Sequence, residues 1–158
     1  MEHLRDLFHE LVRFETELWN AVDARLRTDC DLPMTWFEPM RVIADRPSCR
    51  VFDIADELSL TVGGTSKLVD RIEAAGHCVR RANPEDRRSS IIELTATGRR
   101  LLAEAREAFD DELRTRIGAE VPTHSLEQFY ATLTRLRSTN ARANARANAR
   151  GGDTRTIA

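Results

Sequence analysis

The sequence predicts a mainly α-helical chain with one small β-hairpin, in the element order ααααββαα. Three observations carry this. Apolar residues recur at helical spacing along most of the 158 residues. Breaks at RPS (46–48), Gly76 and GAEVP (118–122) separate those runs. One stretch, CVRRA (78–82) followed by NPEDRRSSIIELTATG (83–98), changes to a turn-centred, strand-like pattern.

The first helix is expected over 3–28. Leu4, Leu7, Phe8, Leu11, Phe14, Leu18, Val22 and Leu26 form its stripe, with Glu10, Glu15, Glu17 and Asp23 between them. DCDLP ends it at Pro33, because proline disfavours helical geometry in the residue before it. A second helix over about 35–45 carries Trp36, Phe37, Met40, Val42 and Ile43. The third spans about 51–58 and the fourth about 62–75, closed by Gly76 as a C-cap. Strands are expected at 78–82 and 89–94 around a turn at 83–88, with Ile92 and Leu94 on one face. Thr95 reads as the N-cap of a fifth helix to about 117, with Leu101, Leu102, Ala105, Ala108, Phe109 and Leu113 on one side. The last helix covers about 124–137 through Leu126, Phe129, Tyr130, Leu133 and Leu136. The remaining tail repeats ARAN and has no large apolar side chain before Ile157, so disorder is expected over 138–158.

Composition narrows the function classes. No apolar run approaches the length of a membrane span. MEHLRDLFHE carries acids where a secretion signal needs an apolar region, so a cytoplasmic location is expected. Cys30, Cys49 and Cys78 are sparse, odd in number and without zinc spacing, which favours structural thiols. No metal or other cofactor is expected. Nor is an enzyme, since neither a nucleophile–base pair nor a phosphate-binding glycine loop is recognisable. The net charge of −2 hides an asymmetry: residues 61–100 hold 8 basic and 5 acidic side chains, and residues 1–60 hold 7 and 13. A local basic face matters more than the total for binding a polyanion. Lys67, the one lysine of the chain, lies in that segment.

Segment 51–76, VFDIADELSLTVGGTSKLVDRIEAAG, has a helix-turn-helix layout. Small Ala55 lets two helices approach, and Thr61 can cap the second helix and also reach a phosphate. Leu68, Ile72 and Ala75 are expected to pack inward, leaving Val62, Gly64, Ser66 and Lys67 on the outward N-terminal part that enters a major groove. Ser66 and Lys67 can hydrogen-bond base edges, and Lys67 can instead meet phosphate alone. Gly63 and Gly64 are costly in a helix, which close backbone approach to DNA would explain. The hairpin that follows is a wing, with Arg87 and Arg88 at its tip, where minor-groove potential favours arginine. Asp86 is expected to stiffen that tip.

IADELSLT, LVDRIEAAG and DRRSSIIELTATG together resemble the core of the MarR family of bacterial winged helix-turn-helix regulators, closely over about 50–102 and in helix order over 1–137. The resemblance implies a homodimer whose N- and C-terminal helices intertwine and which binds double-stranded DNA at a pseudo-palindromic operator. It implies a dimerisation helix at 1–34, a DNA-binding lobe at 35–97 and further dimerisation helices at 98–137. By position, Thr61, Val62, Gly64, Thr65, Ser66 and Lys67 match the DNA-reading helix start, and Asp86 and Arg88 match the wing's structural acid and minor-groove arginine. Arg87 is a phosphate contact on this view. Val62, Gly63 and Gly64 replace some of the family's usual polar residues there.

Many family members bind a small aromatic or anionic ligand between the dimer arms and the lobe. The residues here suited to stacking or anion pairing are His9, Arg13, Trp19, Trp36, Phe37, Met40 and Arg41, although Trp36, Phe37 and Met40 also suit the core. The expected function is a repressor released from its operator by such a ligand. Alternatives are a winged-helix protein-interaction adaptor and a cysteine-based redox-sensing repressor. For the last, Asp29 and Asp31 beside Cys30 would weaken its thiolate. Arg142, Arg146 and Arg150 of the tail are possible extra DNA anchors.

Overall fold

The computed structural model describes residues 2–151, with side chains described over 3–143. The elements are α1 (Glu2–Cys30), α2 (Met34–Asp45), α3 (Val51–Glu57), α4 (Val62–Ala74), β1 (Cys78–Ala82), β2 (Ser90–Leu94), α5 (Ala96–Leu113), a π-helical turn (Arg114–Gly118) and α6 (Thr123–Gly151). The chain divides into two compact units, Met1–Arg114 and Thr115–Ala158.

The core of the first unit comes from every element between α1 and α5. Leu26, Leu32, Phe37, Met40, Ile54, Ile72 and Ile92 are sealed from solvent. Phe37 of α2 stacks on Phe109 of α5 with ring centroids 4.9 Å apart. The C-terminal half of α1 contributes Val22 and Leu26, whereas its N-terminal half leaves Leu4, Leu7, Phe8, Val12 and Phe14 exposed. The apolar stripe of one helix is therefore used over half its length only.

One carboxylate ties α1 to the start of α2. Asp23 accepts the Met34 N–H at 2.7 Å and the Arg27 Nε–H at 2.6 Å. Burial works against the charge on Asp23, but these donors outweigh it and hold its carboxyl below the ordinary value. A depressed folded-state pKa contributes stability that is present above the unfolded value and lost as pH falls through the folded one. Asp23→Ala leaves the Met34 N–H without this partner. It is expected to cost about 1–3 kcal/mol in urea unfolding at neutral pH, with the difference from wild type shrinking in acid.

β1 and β2 form one antiparallel pair with Cys78 opposite Leu94 and Arg80 opposite Ile92. Period-2 alternation puts Cys78, Ile92 and Leu94 into the core. The Ile92 N–H also donates to the Cys49 carbonyl at 2.7 Å, which ties the hairpin to the loop before α3.

Two element ends differ from the sequence expectation. The fifth helix closes at Leu113 and its last turn widens into the π-helical segment instead of running on to 117. The last helix continues to Gly151 instead of stopping near 137. Alanine and arginine are among the best helix formers, and no proline interrupts the ARAN repeat. Residues 152–158 and the side chains of Arg146 and Arg150 lie outside the described residues.

Candidate nucleic-acid interface

α3 and α4 pack through small Ala55, whose carbonyl accepts the Leu60 N–H at 2.8 Å. Ser59 takes a left-handed φ of 55° in the turn between them. Thr61 then caps α4, its Oγ1 accepting the Gly64 N–H at 3.2 Å. A Cβ on Gly64 would sit 2.9 Å from that Oγ1, while one on Gly63 would meet nothing within 4 Å. The cap thus accounts for Gly64 without invoking DNA, and leaves Gly63 facing open space.

The inward stripe of α4 is Thr65, Val69 and Ile72, at i, i+4 and i+7. This corrects the expected Leu68, Ile72 and Ala75: Leu68 is half-buried and Ala75 is exposed at the C-cap. It also removes Thr65 from the DNA-reading set. Thr65 is fully buried, with its hydroxyl donated to the Thr61 carbonyl at 2.9 Å. The outward face retains Thr61, Val62, Gly64, Ser66 and Lys67, of which Ser66 is half-buried and the rest are exposed.

The wing tip is organised by short polar side chains. The Asn83 carbonyl oxygen accepts the Glu85 N–H at 3.0 Å, and its amide donates to Ser89 Oγ at 2.9 Å. Asp86 Oδ1 accepts the Arg88 N–H at 2.9 Å, and the Asp86 carbonyl accepts the Ser89 N–H at 3.1 Å. Asp86 therefore spends its carboxylate on the turn backbone. Arg87 and Arg88 are exposed, and neither forms an ion pair among the described residues.

Arg80 joins the wing to α4, a role that the sequence did not reveal. Its Nη1 bridges Asp70 at 2.5 Å and Glu73 at 3.1 Å, and its backbone N–H donates to Glu73 at 2.9 Å. Burial opposes the charge of Arg80, but these two carboxylates outweigh it and raise its pKa. The available signal was the i, i+3 spacing of Asp70 and Glu73 on one helix face.

A cleft of about 570 Å³ opens beside the start of α4. Trp19 of α1, Trp36, Glu38 and Pro39 of α2, and Leu68 and Arg71 of α4 line it, together with Thr61 and Gly64. It brings together only two of the seven residues expected to bind a ligand. Phe37 and Met40 are core side chains, 1% and 0% exposed. Arg41 is held by Glu38 at 2.7 Å and Asp45 at 3.8 Å. His9 and Arg13 are exposed on the N-terminal half of α1, beside Phe8 and Glu10 respectively, and do not line the cleft. Arg71, absent from the sequence reading, is the basic group of the lining.

Residues 31–89 match the family model described as MarR family. Over that segment the chain resembles the MarR family. The match runs from the end of α1 through the helix-turn-helix to the wing tip, the segment whose geometry is described above. An uncharacterised HTH-type transcriptional regulator of Bacillus subtilis, YfiV, is 28% identical over 71 residues, which cover 45% of this chain and 44% of that protein. The chain thus spans less than half the length of that relative. The crystal structure of Sco3205, a MarR family transcriptional regulator from Streptomyces coelicolor in complex with DNA, superposes with a TM-score of 0.81 at 18% identity, covering 88% of each chain. That of CouR from Rhodococcus jostii RHA1, bound to p-coumaroyl-CoA, gives 0.75 at 23% identity, covering 83% of this chain and 91% of that one. At these identities the two structures establish the fold. MarR-family proteins are DNA-binding regulators, not enzymes. No helix among the described residues is long and apolar enough to cross a membrane.

Proposed function

We propose that this chain is a homodimeric, sequence-specific DNA-binding transcriptional regulator, a repressor released from a pseudo-palindromic operator by a small aromatic or anionic ligand. One observation carries the DNA-binding part: a single lobe presents Ser66 and Lys67 on a capped helix start beside a stiffened wing tip bearing Arg87 and Arg88. The helix start supplies base-edge donors for the major groove, and Arg88 suits the minor groove next to it. Arg87 and Thr61 suit phosphate. A regulator of this kind works in the cytoplasm. The exposed apolar residues of α1, and Phe129, Tyr130 and Leu136 of α6, support burial of both arms against a second copy.

The ligand part rests on the cleft, because Thr61 and Gly64 belong both to its wall and to the start of α4. A ligand stacked between Trp19 and Trp36, its anionic group on Arg71, would bias the position of the reading helix and so its spacing from that of the partner copy. Its test is a gel shift with the DNA upstream of the chain's own gene, challenged with small phenolic and carboxylic compounds. The expected result is a retarded complex that a subset of compounds dissolves. Arg71→Ala is expected to raise the concentration needed by about tenfold, from loss of a charge-assisted hydrogen bond. A complex resistant to every compound, or an unchanged response in the variant, would remove the ligand arm.

A redox mechanism is not favoured by the thiols. Burial, then Asp29 and Glu104, raises the Cys30 pKa against the opposing charge of Arg25. Burial pushes Cys49 and Cys78 to about 11. Thiols of this kind hold little thiolate at neutral pH. Dilute hydrogen peroxide is therefore expected to leave the DNA complex intact in the same gel shift.

A further inference from the structure

We infer that Arg80 is a specificity-determining positioning residue: it fixes the Ser66 hydroxyl as an outward hydrogen-bond donor, so that the recognition helix prefers a base edge offering a purine N7 acceptor where Ser66 points. The inference rests on the DNA-binding reading above and assigns one element of its sequence preference.

Arg80 lies on the same strand face as Cys78 and opposite Ile92, so its stem runs inward and its head reaches α4. Asp70 and Glu73 anchor Nη1, which leaves Nη2 directed at Ser66. Nη2 donates to the Ser66 carbonyl at 3.3 Å and to Ser66 Oγ at 3.4 Å. A serine hydroxyl has one proton and two lone pairs. An N–H at one lone pair turns the O–H away from the guanidinium.

The other usual destination of that proton is the carbonyl four residues back. Thr16, Thr28, Thr65, Thr132 and Ser138 all donate there. Ser66 makes no such bond among the described residues. Ser66 instead lines a cleft of about 380 Å³ formed by the start of α3, α4 and the wing, shared with Arg50, Val62 and Arg88. Arg80 itself is matched by two carboxylates, so its contribution to DNA binding lies in the direction it imposes on Ser66 and not in general attraction to phosphate.

The test selects preferred duplexes from a randomised DNA pool with wild type, Ser66→Ala, Arg80→Gln and Asp70→Asn. The preferred purine is then replaced with its 7-deaza analogue, which lacks the N7 acceptor. Wild type is expected to lose about fivefold in affinity on the deaza duplex. Ser66→Ala should be about fivefold weaker on the normal duplex and indifferent to the analogue. Arg80→Gln should lose preference at that same base pair while its salt dependence stays that of wild type. Asp70→Asn alters an exposed acid and frees one anchor of Arg80, so it should weaken the same preference partially. It also serves as the second variant if Arg80→Gln does not fold. Retained deaza sensitivity in Ser66→Ala overturns the proposal, as does equal weakening on all duplexes by both Arg80→Gln and Asp70→Asn. Failure of wild type to bind any duplex would instead overturn the DNA-binding reading beneath it.

Discussion

Gly98→Ala is expected to destabilise the chain by at least about 3 kcal/mol, the upper part of the range for overpacking a rigid site. In a chain of this size that lowers the melting temperature by roughly 6–12 °C. A Cβ at this position would lie 2.0 Å from the His77 carbonyl oxygen and 2.8 Å from its carbon. Both are backbone atoms, and neither can turn aside. The same carbonyl accepts the Thr95 N–H at 3.0 Å, while Thr95 Oγ1 accepts the Gly98 N–H at 3.0 Å and donates to the Gly76 carbonyl at 2.7 Å. The substitution therefore strikes the joint where the wing ends, α5 begins and the end of α4 is held. Gly63→Ala is the contrasting control, since its Cβ enters open space. It is expected to raise stability by up to about 1 kcal/mol through helix propensity. Differential scanning calorimetry of the two variants checks the pair.

Arg87→Ala with Arg88→Ala is expected to weaken DNA binding at least about tenfold without loss of fold, because both side chains sit on an exposed tip held by Asn83, Asp86 and Ser89. The slope of log affinity against log salt should become shallower by about 0.9 for each phosphate contact removed. The single variants should separate. Arg87→Ala should weaken all duplexes alike, as phosphate contacts carry no sequence information. Arg88→Ala should act most on duplexes with a narrow, A·T-rich minor groove beside the half-site. Fluorescence anisotropy on two duplexes that differ only in that flank reads both effects. An adaptor that uses the winged helix against a protein would show no loss of DNA affinity in the double variant.

The fold was legible where the local signals agreed. Thr61, Thr95 and Gly76 marked helix ends that the structure places within a residue or so, and the alternation of Ile92 and Leu94 put the right face of β2 into the core. The inner face of α4 was misread because Leu68 looked a better core residue than Thr65. Threonine is buried there without cost, since its hydroxyl finds the Thr61 carbonyl one turn back. Burial of Phe37 and Met40 has the opposite origin: an aromatic and a thioether suit a ligand as well as a core, and only the three-dimensional packing decides, with Phe37 stacked on Phe109 and Met40 sealed in the core. Arg80 and Arg71 were missed because each looks like surface charge along the chain. Their roles come from what another element brings beside them: the wing sets Arg80 against Asp70 and Glu73, and α1 and α2 set Trp19 and Trp36 across from Arg71.

The central claim is that the outward start of α4 and the wing tip together grip duplex DNA. Its most direct test is the affinity of the full-length protein for the DNA upstream of its own gene, measured across a salt series. The expected result is a log affinity that falls linearly and steeply with log salt, with protection of two half-sites about one helical turn apart. Absent binding, or affinity indifferent to salt, would contradict it.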